Sequence, residues 1–107
     1  MSYLDKLKLI TAWDDKPELT EDDLNSALAT AAIADADGHA PTNIAWTPTY
    51  DLNSAASAAW LIKAARAAAE VAIDSTDPVV VTSKVFDNCR AMARIYAAKR
   101  TATVIIN

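Results

Sequence analysis

Glycine occurs once in this chain, at position 38, and cysteine once, at position 89. A single glycine leaves few places for the positive backbone angles of tight β-hairpin turns. With alanine abundant, that scarcity points to an all-α fold. A lone cysteine excludes an internal disulfide and gives no support to a secreted, disulfide-stapled scaffold. Histidine also occurs once. His39 lies in a loop far in sequence from Cys89, so no triad can be assembled, and Cys89 reads as a small core residue. There is no glycine-rich loop and no carboxylate pair across a site, so neither catalysis nor a cofactor is expected. No apolar run approaches 18 residues and the amino terminus is not signal-like, so the expectation is a soluble, cytosolic protein without a membrane contact. Positive charge is short too. A net charge of −4 and a pI near 4.7 argue against a protein that grips nucleic acid by its phosphates. They are compatible with one past which DNA slides without sticking.

What is present is alanine and a long uninterrupted helical stretch. The 107 residues, 52% of them apolar, make one folded domain. Residues 46–66 organise it. Thr47 is a suitable N-cap and Pro48 suits a first helical position, with Thr49 or Asp51 as alternative caps. From Leu52 nothing breaks the helix before Asp74, which predicts roughly 25 residues, or about 37 Å. About half of residues 55–72 are alanine, the strongest helix former, with Leu52, Trp60, Ile62, Val71 and Ile73 as spaced anchors. Such a helix serves as the centre of a small bundle, as a surface against a neighbouring subunit, or as both.

Shorter elements flank it. Leu4, Leu7, Ile10 and Trp13 fall on one stripe and predict a helix over 3–14. Thr20 followed by Glu21, Asp22 and Asp23 predicts a helix start with a capping box, its buried stripe formed by Leu24, Leu28, Ala31 and Ala32. That helix is expected to run out at Asp35–His39, with Gly38 as its C-terminal stop. Asp35, Asp37 and His39 alternate like metal ligands, but a calcium loop opening at Asp35 would need a carboxylate where Trp46 stands, so no metal is expected. Trp46 sits where an apolar residue staples the next helix start, and Tyr50 and Trp60 read as core aromatics with polar tips bonded outward. Lys63 and Arg66 are too few to make these a nucleic-acid stacking platform. Val79, Val80 and Val81 predict a short extended segment near 79–82. Ser83 or Thr82 then caps a last helix from Lys84 to about Arg100, striped by Val85, Cys89, Met92 and Tyr96. Residues 101–107 form a separate extended tail. Its Thr103, Val104, Ile105 and Ile106 either pair with the 79–81 segment or add a strand to another protein.

Several runs resemble one family. They are Leu19-Thr-Glu-Asp-Asp-Leu24, Ala34-Asp-Ala-Asp-Gly-His-Ala-Pro41, Thr47-Pro-Thr-Tyr-Asp-Leu-Asn-Ser-Ala-Ala56, and Trp60-x-x-Lys63-Ala-Ala-Arg66-Ala-Ala68. Together with Ser83-Lys-Val-Phe-Asp-Asn-Cys-Arg-Ala-Met-Ala93 they resemble the head-to-tail adaptor (head completion, or head–tail connector) proteins of long-tailed phages of actinobacteria. The likeness covers roughly residues 19–98, and Trp46, Thr47, Pro48, Thr49, Tyr50, Asp51, Leu52 and Trp60 make up its signature. It implies a helical domain over 1–100; the docking tail over 101–107 lies outside it and is read from its own residues. It also implies a structural virion protein forming a ring of identical subunits, dodecameric to match the portal, at the head–tail junction. The implied partners are the portal protein, a stopper or tail-completion protein, and genome DNA passing through without sequence-specific binding. Assembly would take place in the host cytoplasm. Loops 35–46 and 74–82 are the candidate contacts with the next protein, since loops at bundle ends are free to make them. The alternative reading is a small helical binding or regulatory module acting on a protein partner.

Overall fold

The computed structural model describes the backbone of residues 2–73 and 79–100, and the side chains of residues 2–69 and 84–100. Four helices follow one another: α1 (Tyr3–Ile10), α2 (Glu21–Thr30), α3 (Leu52–Ile73) and α4 (Val79–Lys99). The expected all-α bundle with a long central helix is what forms. At 22 residues, α3 runs about 33 Å, and it is the element onto which every other helix packs.

Alanine makes that possible. Ala55, Ala56, Ala59 and Ala67 are completely buried and Ala64 nearly so. Methyl side chains at these positions let neighbouring helices approach α3 closely. α4 lies antiparallel along one side. Ser57 Oγ donates to the Ala93 carbonyl at 2.9 Å and Asn53 Nδ2 to the Lys99 carbonyl at 3.2 Å, so low numbers on α3 meet high numbers on α4. Cys89 and Ala93 are the α4 residues buried in this contact. α1 and α2 also pack against α3, and against each other. Leu7 and Leu24 are fully buried there, each contributing about 1.5–3 kcal/mol by leaving water.

Local chemistry sets the helix starts. Ser2 caps α1 by accepting from the Asp5 N–H. Thr20 caps α2 with the reciprocal box expected from its sequence: Thr20 Oγ1 accepts from the Asp23 N–H, and Asp23 Oδ2 accepts from the Thr20 N–H. At α3 the cap is Asp51, whose Oδ1 accepts from the Asn53 and Ser54 N–H groups. Thr47 and Pro48 therefore stand outside the helix.

Three boundaries differ from the sequence expectation. α1 stops at Ile10, not residue 14, because the Thr11 hydroxyl turns back onto the Leu7 carbonyl and Ala12 takes a positive φ of 46°. α2 stops at Thr30, well before Gly38. Its continuation straightens to pair with residues 49–51: the Ile33 N–H donates to the Thr49 carbonyl, the Asp51 N–H donates to the Ala31 carbonyl, and Ala32 faces Tyr50 in an antiparallel bridge. The third difference is a correction. Residues 79–82 are the first turn of α4, not an extended segment. Valine is disfavoured in helices by well under 1 kcal/mol per residue, so its β propensity does not keep the backbone of these positions out of α4. With that segment helical, the tail has no strand there to pair with. Residues 101–107, with Thr103 to Ile106, lie outside the described residues, as does the linker 74–78.

Candidate functional site

Two constellations of polar side chains adjoin α3, and each includes signature residues. The first is the corner that leads into α3. Asp35 is buried, and its carboxylate accepts three backbone N–H groups: those of Asp37 and His39 at Oδ1 (3.0 and 2.9 Å) and that of Thr47 at Oδ2 (2.8 Å). These donors, with the Thr47 amide foremost, hold the carboxyl below the usual carboxylate range. One side chain thus closes the loop 35–47 at both ends. Within it the Asn43 N–H donates to the Ala40 carbonyl, the Trp46 N–H to the Asn43 carbonyl, and the Ala45 N–H to Asn43 Oδ1. Gly38 takes the positive φ of 82° that the turn requires.

Trp46 does not staple the helix as a simple apolar plug. Its indole Nε1 donates to the Ile33 carbonyl at 2.9 Å, and its ring meets Tyr50 edge-to-face at 5.8 Å. Tyr50 in turn meets Tyr3 edge-to-face at 5.1 Å, tying the corner to the start of α1. The loop's far end carries Ile44, which is fully exposed.

Asp35, Asp37 and His39 offer ligand atoms within 4.8 Å of one another. Three backbone amides already engage the Asp35 oxygens, and His39 Nδ1 lies 3.4 Å from Oδ2. Of the alternating residues, Asp35 is thus the one whose side chain closes the loop.

The second constellation is a row of donors on α3, Trp60, Lys63 and Arg66, spaced three apart so that they share one face. Each reaches back to the backbone between α1 and α2. Trp60 Nε1 donates to the Ile10 carbonyl at 3.2 Å. Lys63 Nζ donates to the Ala12 and Asp15 carbonyls at 2.7 and 2.8 Å. Arg66 donates to the Glu18 carbonyl at 2.9 Å and forks onto the Asp23 carboxylate at 2.6 and 3.0 Å. Carbonyls left over where α1 ends and the chain turns thus find donors on α3.

Lys63 is the least expected member. Only 1% of it is exposed. Burial pushes its pKa down, and the nearby negative groups, including Asp15, oppose that shift. The Trp60 ring lies 5.2 Å from Nζ. Cys89 joins Lys63 around a cavity of about 240 Å³ whose other walls include Ala12, Trp60 and Val85. Burial raises the Cys89 pKa, with Lys63 as the smaller, opposing influence, so at neutral pH Cys89 is a thiol. Asp23, gripped by Arg66 and by the Thr20 amide, has its pKa lowered to about 2, and the same contact raises that of Arg66.

Of the signature residues, Trp46, Tyr50, Asp51 and Trp60 thus have specific bonding roles, and Leu52 is partly buried against the core. Thr47 contributes its amide, Thr49 its carbonyl, and Pro48 lies between them. Sequence reasoning missed Lys63 as a buried hub and Asp35 as the closure of the loop. The available signal was the three-residue spacing of Trp60, Lys63 and Arg66 on an alanine helix. Comparisons with protein-family models, with curated proteins and with solved structures find no match to this chain.

Proposed function

We propose that this chain is a structural assembly protein, a head-to-tail adaptor that joins the portal vertex of a phage capsid to a stopper or tail protein and extends the DNA channel as a ring. The observation that carries the reading is the loop 35–47. It is closed by a buried carboxylate and holds an isoleucine, Ile44, wholly in water at its tip. An apolar side chain on an exposed loop that is internally hydrogen-bonded is a contact prepared for another surface, because the ordering cost of the loop has already been met in the free protein. The resemblance of the surrounding runs to adaptor proteins supplies the identity of that surface, the portal or the next tail protein. The polar constellations around α3 act as scaffold in this reading: they hold the corner and the α1–α2 connection against the central helix.

The test is co-sedimentation of the purified chain with portal particles from long-tailed phages of actinobacteria. The adaptor reading expects saturable, stoichiometric binding, and it expects Ile44→Asp to weaken that binding at least tenfold with helicity unchanged by circular dichroism. Binding to a host protein with no affinity for portal particles would instead favour a helical regulatory module.

A further inference from the structure

The net charge of −4 conceals an uneven distribution. Residues 1–45 contain nine acidic side chains and three lysines, whereas residues 84–100 contain five basic side chains and one acidic one, Asp87. The two populations sit on different elements: among the helices α4 packs on α3 alone, whereas α1 and α2 also pack on each other.

Each charged surface has an apolar centre. On α4, Cys89 and Ala93 point into the core. Ala91, Arg94, Ile95 and Ala98 occupy the outward side, with Ile95 46% exposed and Arg90 on the flank. On α1, Leu7 points inward and Leu9 is 69% exposed. Leu9 lies in an open groove of about 420 Å³ with Trp13 and Ala12, edged by Asp5 and Asp14. Lys8, also at this groove, is engaged with Glu21 at 2.6 Å and stacks over Trp13, so it does not cancel the two aspartates. Among the described residues, Arg90, Arg94, Asp5 and Asp14 form no ion pair within the chain.

We infer that the outward face of α4 docks into the Leu9–Trp13 groove of a second copy of this chain, with Arg90 and Arg94 facing Asp5 and Asp14 across the contact. The occupant follows from complementarity. Each patch offers the opposite charge and an apolar centre to the other. Such a contact is heterologous: the patch used on one copy stays free on the next, so copies add head to tail and close into a ring where the rotation allows. The exposed part of α4 from Lys84 to Lys99 is about 24 Å long. One helix face of that length covers less than the ~800 Å² per partner of a stable complex. Association is therefore weak in free solution, steered by charge and sensitive to salt. The inference deepens the adaptor proposal, on which only its setting in a portal-bound ring rests.

Sedimentation equilibrium of the full chain at low and high salt tests it, together with the variants Arg90→Glu/Arg94→Glu and Asp5→Lys/Asp14→Lys, each checked for helicity. The wild type should show an average mass rising above 11.4 kDa with concentration at low salt and returning to it at high salt. Each double variant alone should stay monomeric, since its two patches then repel, and an equimolar mixture of the two should associate again. A wild type that stays monomeric into the millimolar range at low salt overturns the inference. So does self-association that survives either reversal, or a mixture that fails to recover. Portal co-sedimentation of the same wild-type sample reads the adaptor proposal separately: self-association without portal binding sinks the adaptor role and leaves the contact standing, and portal binding without self-association does the reverse.

Discussion

Replacing Lys63 by methionine keeps most of the side-chain volume and removes the ammonium. In the wild type that ammonium serves two carbonyls at once, Ala12 at 2.7 Å and Asp15 at 2.8 Å, from a position with 1% exposure. Both carbonyls lose a charge-assisted donor, and a buried acceptor left without one costs about 1–3 kcal/mol. Opposing this, the variant no longer has to strip water from a cation, a saving of the same order as one of the two bonds lost. The balance is a destabilisation of about 1–3 kcal/mol, a large share of the ~5–15 kcal/mol that holds a domain of this size together. Urea denaturation followed by circular dichroism measures it. With a slope of roughly 1–3 kcal/mol per molar, the midpoint should fall by about 1 M or more. Arg94→Met, an exposed control on α4, should move it by no more than ~0.5 kcal/mol. If Lys63→Met unfolds within ~0.5 kcal/mol of the wild type, the clamp does not exist as described and the α1–α2 connection is held by something else.

Two further outcomes follow from the same reasoning. Asp35→Ala removes the acceptor of three backbone amides and should destabilise the loop by about 1–3 kcal/mol; hydrogen exchange at the Asp37, His39 and Thr47 amides should quicken well before exchange in α3. Asp23 carries a pH signature. Its folded pKa of about 2 lies below the ordinary 3.8, so its contribution is fully present above the unfolded value and is lost as pH falls from 3.8 through about 2. The Arg66 side chain is 41% exposed, so solvent screening cuts that contribution to about 1 kcal/mol. Arg66→Ala should therefore lower stability at pH 6 by about that amount and flatten the wild-type decline between pH 4 and 2 in a series of urea melts.

Features held by neighbours in sequence were legible in advance. The Thr20–Asp23 capping box depends on two residues three positions apart, so its sequence and its geometry are nearly the same statement. The length of α3 followed from the uninterrupted alanine run, and Asp51 stood among the proposed caps. What failed depended on distant partners. Residues 79–82 read as extended because valine carries β propensity, yet that preference is small beside the packing of a 21-residue helix on α3. The early end of α2 required knowing that residues 31–33 would find residues 49–51. Lys63 shares a wheel face with Ala56, Trp60 and Ala67, yet nothing in its neighbourhood names the carbonyls, some 50 positions earlier, that it serves. Asp35 was visible as a chemical group but pointed to a metal pattern; its true partners are amides, which sequence does not distinguish.

The central claim is that this bundle sits at the junction between capsid and tail. A cryo-EM map of the portal–tail junction from a virion that encodes the chain tests it most directly. The account predicts a ring of this four-helix bundle against the portal, with Ile44 in contact with a neighbouring protein and α4 of each copy against α1 of the next. A well-resolved junction whose density is filled by other folds would contradict it.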